Sequence, residues 1–553
     1  MNLSRERMAA KVGDEQGFSV ETIDVLRALQ EVEKRAERVS DEHVVATYVD
    51  AGSLVNALAT RDNGVVFGRR GTGKTHALKY LAETRRAEGD FVVYIDMEQD
   101  TGSTEGRYAD LSLSFAERAT RLVVDVLGII HDRLVEDAFS GRVKTQIDVL
   151  DRALDHFGQV MVVKEVEQEN TNTSSLTQSG GGGASLGPDG ITAQISASSA
   201  EEQGVGARVR TTGALQHRIH FGAVGEMLRT VLREHEAKRC WIIFDEWSGV
   251  PLDLQPYLGQ MLRRLFFSIP KVSVRIASIP HRTQWRLLGA QPGDYTGLEI
   301  GAEIFPLLDL DEFVVFPARS RAEQTERSTT FFKNLLFRHL SQALEGLGMP
   351  ALDSADQMVK LLFTQVTALQ EAIRAAEGVP RDALNIVSRA ALRAGEAKIS
   401  TTHIRDAAAQ LYQTTKAAQL NAVPDARALL EIILSEVLAG RKARAFLLAQ
   451  DDTNHPLIQQ LIDDRILHLI KKGYSSNADP GARFDVLEID YGCYVDLLGT
   501  ANAPQHLFGE EGAADEKALE AFYGTTEVPE DDYRAIRRAV LNLPEALGKI
   551  RTS

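Results

Sequence analysis

One octapeptide constrains this chain more than any other feature. Gly68-Arg69-Arg70-Gly71-Thr72-Gly73-Lys74-Thr75 fits the pattern G-x-x-x-x-G-K-[ST]. It stands between a short β-branched run, GVVF, and a helix-forming run, HALKYLAETRRA, and a second apolar run, FVVYIDME, follows. A strand that feeds a glycine loop and then a helix belongs to a parallel sheet with crossover helices. The glycines let the backbone turn tightly and aim N–H groups inward, while the helix N-terminus adds positive dipole, so the segment cradles phosphate. Lys74 is expected to reach the β- and γ-phosphates and Thr75 to place its hydroxyl on Mg²⁺. The nucleotide-binding segment is read as residues 68–76, ending on His76, with ATP and Mg²⁺ as its ligands.

Two further strand ends complete a site for hydrolysis. The apolar run Trp241-Ile242-Ile243-Phe244 finishes on Asp245 and Glu246. Asp245 is expected to hold Mg²⁺, directly or through water, and Glu246 to polarise the attacking water. Downstream, VSVRIAS ends on Ser278, a small polar residue able to hydrogen-bond the same water or the γ-phosphate. Lys74, Glu246 and Ser278 are the catalytic candidates from this part of the chain.

At 553 residues the chain is too long for one core, and three or so modules are expected. Apolar residues at 44% and charged residues at 25% are ordinary globular usage. Periodicity organises the modules: an N-terminal segment over 1–44; an ATPase core over 45–325; a helical region over 326–420; a helix-helix-strand-strand module over 421–500; and an acidic extension over 501–553. Residues 18–39 carry Ile23, Leu26, Leu29 and Val32 at helical spacing, a helix expected to pack on the following module. Alternating text over 159–220, broken by a glycine-serine run, reads as an inserted antiparallel hairpin or small sheet with a mobile tip, or as a flexible linker. A further strand is expected at DEFVVF, near residue 313. The N-terminus lacks the apolar run of a secretory signal, and no segment offers the ~20 apolar residues needed to span a bilayer, so a cytoplasmic protein without membrane contact is expected. Cys240 and Cys493, far apart in apolar text, read as buried free thiols.

The order of parts, an apolar strand ending Asp-Glu, a polar-ended strand after it, and Gly378-Val379-Pro380-Arg381-Asp382-Ala383 at a helix start, resembles AAA+ ATPases. The resemblance implies an α/β P-loop NTPase parallel sheet followed by a helical lid and a winged-helix domain, with Arg381 presented to the γ-phosphate. Lys398-Ile399-Ser400-Thr401-Thr402-His403-Ile404-Arg405-Asp406-Ala407 is similar to the last lid helix of the origin-recognition and replication-initiator clade, whose members end in a winged helix. Residues 425–500 are expected to supply it, with Leu487, Ile489, Tyr491, Cys493 and Val495 alternating along a wing strand. An assembly of AAA+ type implies a homo-oligomer and an arginine finger, for which Arg282 and Arg286 are the nearby candidates. The insert, the acidic stretch from Glu510 to Asp532 and the overall charge depart from the clade's pattern and fit initiator-like ATPases of regulatory or defence systems.

Charge leaves the partner open between two classes. The chain carries a net charge of −16, and residues 425–500 hold eight Lys or Arg against twelve Asp or Glu. Duplex DNA contact through the winged helix then rests on local clusters, Arg441-Lys442-Arg444 and Lys471-Lys472. The alternative is a protein partner docked through the insert or the C-terminus. Nothing in the text suggests chemistry beyond ATP hydrolysis: no Ser/His/Asp grouping, H-E-x-x-H or paired C-x-x-C is present.

Overall fold

Short apolar runs separated by helices pair into one parallel sheet. In the computed structural model, the residues described are 21–102, 114–142, 159–162, 186–187, 190–196, 214–219, 221–289, 291, 293–311, 321–441, 443–475, 481–498 and 539–552. The chain divides into two compact units, Gly52–Phe313 and a second made of Met1–Ala51 with Val314–Ser553.

In the first unit, β1 (Gly64–Phe67) and β2 (Phe91–Asp96) flank the helix Lys74–Ala87. Within the alternating text, β3 (Gln159–Val162), β4 (Leu186–Gly187), β5 (Gly190–Ser196) and β6 (Ala214–Arg218) form an antiparallel sheet of order β3-β6-β5-β4. Most of the glycine-serine run, expected to be a mobile tip, lies outside the described residues. Then come β7 (Cys240–Asp245), β8 (Val272–Ser278), a hairpin of β9 (Arg286–Leu288) and β10 (Tyr295–Gly297), and β11 (Leu307–Asp309). The central sheet has the order β11-β1-β8-β7-β2, every pair parallel. Its fifth strand thus falls at Leu307–Asp309, before the expected DEFVVF. Val65, Val66 and Phe67 pair there with Leu307, Leu308 and Asp309, and residues 312–320 lie outside the described set.

β7 and β8 are buried at every position; β7 is accordingly a continuous apolar run up to Asp245, while β8 also buries the polar residues Ser273 and Arg275, whose donors serve backbone carbonyls. The helices Phe115–Phe139, Phe221–Glu234 and Gln255–Leu265 join one core with the sheet, Val126, Leu228 and Leu262 lying with Ile242, Phe244 and Val274. The helix Lys74–Ala87 contributes buried Leu78 and Leu81 and packs along β2, β7 and β8. Its first turn therefore stands at the C-terminal edge of the sheet, where ligands of open α/β folds bind.

In the second unit, the helix Thr22–Glu31 buries Val25, Leu26, Ala28 and Leu29 against the helices Arg321–Gly346, Ala355–Leu362 and Pro380–Ala394. The partners of this amphipathic face are therefore some 300 residues downstream in sequence and not in the module that follows it. The helices Val366–Ala376 and Thr401–Leu411 complete this bundle, and a π-helical turn, Tyr412–Lys416, leads out of it. Beyond it, helices Pro424–Ile433 and Pro456–Asp463 pack with β12 (Ala445–Ala449), β13 (Leu467–Ser475), β14 (Arg483–Ile489) and β15 (Val540–Leu541), in sheet order β13-β14-β12-β15.

The expected wing strand is shorter than its alternation implied. β14 stops at Ile489, and Tyr491, Cys493 and Val495 lie on the helix Tyr491–Leu498. Asp490 ends the strand, because its carboxylate accepts from the Cys493 N–H (3.1 Å) and its carbonyl from the Tyr494 N–H (3.0 Å), the bonds of a helix cap. Both cysteines are free and buried, and burial pushes each thiol up to about 12. Among the described residues no helix is long and apolar enough to cross a membrane.

Candidate nucleotide site

The loop after β1 is built by three glycines at positive φ, Gly68, Gly71 and Gly73, and by an internal lysine. Gly68 has φ 156°, and a Cβ there would come within 2.6 Å of the Thr72 hydroxyl. Gly73, at φ 99°, stands immediately before the helix Lys74–Ala87. Thr72 Oγ1 donates to the Arg69 carbonyl at 2.9 Å, closing the turn. Lys74 is buried, and its Nζ donates to the carbonyls of Gly68 (2.8 Å) and Arg69 (3.1 Å), so the ammonium is inside the loop. Thr75 is buried, His76 and Gly71 half-buried, and Arg70 exposed.

Arg69 does something that its variable motif position did not announce. Its backbone N–H and Nε donate to the two oxygens of Asp311, at 2.9 and 2.7 Å. Burial alone would raise the Asp311 pKa, but the charge of Arg69 and its hydrogen bonds override that and hold the carboxyl below the usual range. The loop is thus clamped to the chain two residues beyond β11.

Acids collect at the ends of β7 and β2, where Asp245 and Asp96 are register partners. Asp245 is fully buried; its Oδ2 accepts from the Tyr94 hydroxyl at 2.6 Å and its Oδ1 from the Glu246 N–H at 2.9 Å. Glu246 has φ 48°, a left-handed conformation that is costly for a non-glycine residue. Burial and then the neighbouring Asp245 raise the Glu246 pKa, with Lys74 partly opposing them. Burial likewise raises Asp96, although its Oδ1 accepts from the N–H groups of Glu98 and Gln99. Tyr94 and Asp96 went unnoticed in the sequence; the available signal was a tyrosine two residues before the terminal acid in an otherwise apolar strand, which puts both on one face. Asp311 left no such signal.

Ser278 lies at the end of β8, beside Phe67 in register and therefore next to the start of the loop. It is fully buried, and its hydroxyl pairs with that of Thr283, which itself donates to the Ile279 carbonyl at 2.7 Å. Ser278 must then give its one proton to Thr283, which leaves it lone pairs to accept from water. Arg282 is half-buried in the turn Pro280–Arg282, and Arg286 is exposed at the start of β9. Arg381 belongs to the second unit, in the first turn of the helix Pro380–Ala394, paired with Glu37 at 3.5 Å. Burial lowers its pKa, Glu37 opposes that, and Arg465 and Arg35 add to it.

The site therefore holds a buried ammonium and a hydroxyl on one side, with hard carboxylate oxygens at the adjoining strand ends. Thr75 and Asp245 offer the oxygen chemistry that Mg²⁺ takes when substrate phosphates supply the rest of its shell.

A five-stranded parallel sheet with this loop at the C-terminal edge of β1 is an α/β P-loop NTPase fold. The chain resembles the origin-recognition and initiator ATPases: a family model described as ORC-CDC6-like matches residues 32–90. No curated protein matches. Among solved structures, the ORC1 protein of Aeropyrum pernix in complex with DNA is 14% identical, with 82% of this chain and 91% of that one covered and a TM-score of 0.30. A Walker-type ATPase of Pyrococcus abyssi is 11% identical, over 84% and 99%, with a TM-score of 0.37. Drosophila ORC bound to DNA is 12% identical, over 89% and 99%, with a TM-score of 0.30.

Proposed function

We propose that this chain is an ATP-binding and ATP-hydrolysing molecular switch, in which nucleotide state governs engagement of a partner. The observation that carries the reading is the convergence at one sheet edge of the Lys74 loop, the Asp245-Glu246 pair and Ser278. Lys74 and the loop amides bind and orient the phosphates; Thr75 and Asp245 would hold Mg²⁺, which would supply charge neutralisation at the phosphates. Tyr94 fixes the Asp245 carboxylate. Glu246, made more basic by burial and Asp245, accepts the proton of the attacking water, and Ser278 accepts a hydrogen bond from that water. Arg381 is the arginine presented to the γ-phosphate.

The test is Glu246→Gln. ATP affinity is expected to hold while turnover falls about 10²- to 10⁴-fold. Full turnover in that variant would remove Glu246 from the mechanism.

The helix, strand, helix, strand, strand order over Pro424–Ile433 to β14 supports a winged-helix reading of the C-terminal module. One observation favours a protein partner over duplex DNA. Arg444, counted above among the cations available to phosphate, is buried and committed to Glu377 (2.6 Å) and Glu488 (2.5 Å). Of the remaining cluster residues, Lys471 and Lys472 are exposed on β13 and Arg441 is exposed before β12. Salt titration separates the classes: DNA engagement gives an affinity falling steeply with salt, and protein docking gives no measurable duplex binding near physiological salt.

A further inference from the structure

The six residues that present Arg381 are held at both ends by buried charges from the C-terminal module. At the first end, Glu377 is left-handed (φ 50°) and binds Arg444, which also binds Glu488 at the end of β14. At the other, Asp382 is 1% exposed and faces two cations: Lys416 Nζ at 3.2 Å and Arg465 Nε at 3.4 Å. Lys416, in the π-helical turn, also binds Asp490 at 2.5 Å, and Asp490 accepts or shares a bond with His468 on β13 at 3.1 Å. Arg465 is itself left-handed, at φ 57°. Among the described residues the non-glycine positions with positive φ are Glu246, Glu377 and Arg465, so two of three belong to this assembly.

Such groups are expensive to bury, and they stabilise a fold less than apolar packing of the same volume would. What they supply instead is dependence of one arrangement on another, because moving either partner leaves a charge buried alone. Here the fixed object is the turn over residues 377–382, and that turn carries Arg381, half-buried and paired with Glu37 at 3.5 Å. The cations come from the linker turn (Lys416), the residue before β12 (Arg444) and the approach to β13 (Arg465), and two of their other partners, Glu488 and Asp490, close β14, so displacing the β13–β14 hairpin displaces the turn.

We propose that Asp382 is a positioning residue for Arg381, and that Lys416 and Arg465 make the orientation of Arg381 depend on the C-terminal module. This rests on the reading of Arg381 as the γ-phosphate arginine. The engaged state of the hairpin, whatever partner it grips, is then read out as discrimination between nucleotides with and without a γ-phosphate.

The experiment measures equilibrium affinities of the full chain for ATPγS and ADP, with thermal midpoints recorded beside them. Asp382→Asn keeps the side-chain volume and leaves Lys416 paired with Asp490, and the thermal midpoint reports how far the fold is retained. Arg381→Ala is expected to lower ATPγS affinity about tenfold and leave ADP affinity alone. Asp382→Asn and Arg465→Gln are expected to do the same, Arg465→Lys to restore part of the loss, and the Arg381→Ala/Asp382→Asn double variant to lose no more than Arg381→Ala. A lowered midpoint with an unchanged ATPγS-to-ADP ratio in Asp382→Asn, or additive losses in the double variant, would overturn the inference alone. No effect of Arg381→Ala would overturn the role of Arg381 and the inference with it. Failure of the unaltered chain to bind either nucleotide would overturn the site itself.

Discussion

Replacing Asp311 with Asn isolates what the Arg69 clamp contributes to phosphate binding. Asp311 receives two bonds from one residue, the Arg69 N–H at 2.9 Å and Nε at 2.7 Å, and the Arg69 side chain is only 7% exposed. Asn keeps one acceptor and turns an amide NH₂ toward the other donor, so one charge-assisted bond is lost. Such a bond is worth ~1.5–3 kcal/mol, so a loss of about 2 kcal/mol is expected. If the clamped loop is the binding-competent one, apparent affinity falls in proportion to the clamped population, up to about thirtyfold for that energy. Titration calorimetry with ADP reads the affinity, and a thermal scan reads the stability. An unchanged Kd would refute the idea that the clamp shapes the loop, and a fall in midpoint alone would assign it to stability. The pH dependence carries a sign as well. Asp311 is held below the ordinary carboxylate range, so its contribution is complete above that range and disappears as pH falls through the lowered value. The difference between wild type and variant should be constant from pH 6 to 8 and shrink in acid.

Other outcomes follow from the same geometry. Tyr94→Phe removes the hydroxyl on the buried Asp245 Oδ2 and should raise the Mg²⁺ concentration for half-maximal turnover about tenfold, in a metal titration of ATPase rate. Arg275→Met strips the donors that serve the carbonyls of Leu58, Thr60 and Asp62 and should cost about 3 kcal/mol, read as a drop of about 6–12 °C in a thermal scan. Glu377 is pushed up to about 8, chiefly by burial, with Arg444 opposing and Glu488 adding to the rise. For a carboxyl raised in this way, stability is lost as pH climbs from the ordinary value toward the folded one. Glu377→Gln does not titrate, so the difference in melting midpoint should shift in the variant's favour between pH 5 and pH 8, whatever its size at pH 5.

Where one physical constraint dominates, the text was readable. β7 is buried on both faces, so an apolar run occupies it as far as Asp245; β8 is apolar enough at Val272, Val274, Ile276 and Ala277 to be read as a strand ending on Ser278, although it also buries Ser273 and Arg275 against backbone carbonyls. The phosphate loop was equally plain, because its glycines answer to backbone conformation. Elsewhere the same rules misled or were silent. Alternation from Leu487 to Val495 is a strand signal, yet Asp490 caps a helix halfway through it, and a local capping bond outranks period two. The fifth strand is three residues long, too short to carry a pattern. Asp311, Tyr94 and the carboxylates around Lys416 depend on partners 34 to 242 residues away, a separation at which no spacing rule operates. Arg444 sat in a basic cluster in sequence and is buried between two glutamates in space.

The grouping of residues 21–51 with the last 240 has a consequence for how the chain is made. Val25, Leu26 and Leu29 emerge from the ribosome early, but their core is finished by Leu384, Val387 and Leu411. At ~5–20 residues per second, that apolar helix face waits roughly 20 to 70 seconds for its partners. The unit Gly52–Phe313 is complete well before then. Nascent chains arrested after residue 313 should therefore bind nucleotide while the first helix is still open to chaperones, and this face is where aggregation during synthesis would begin.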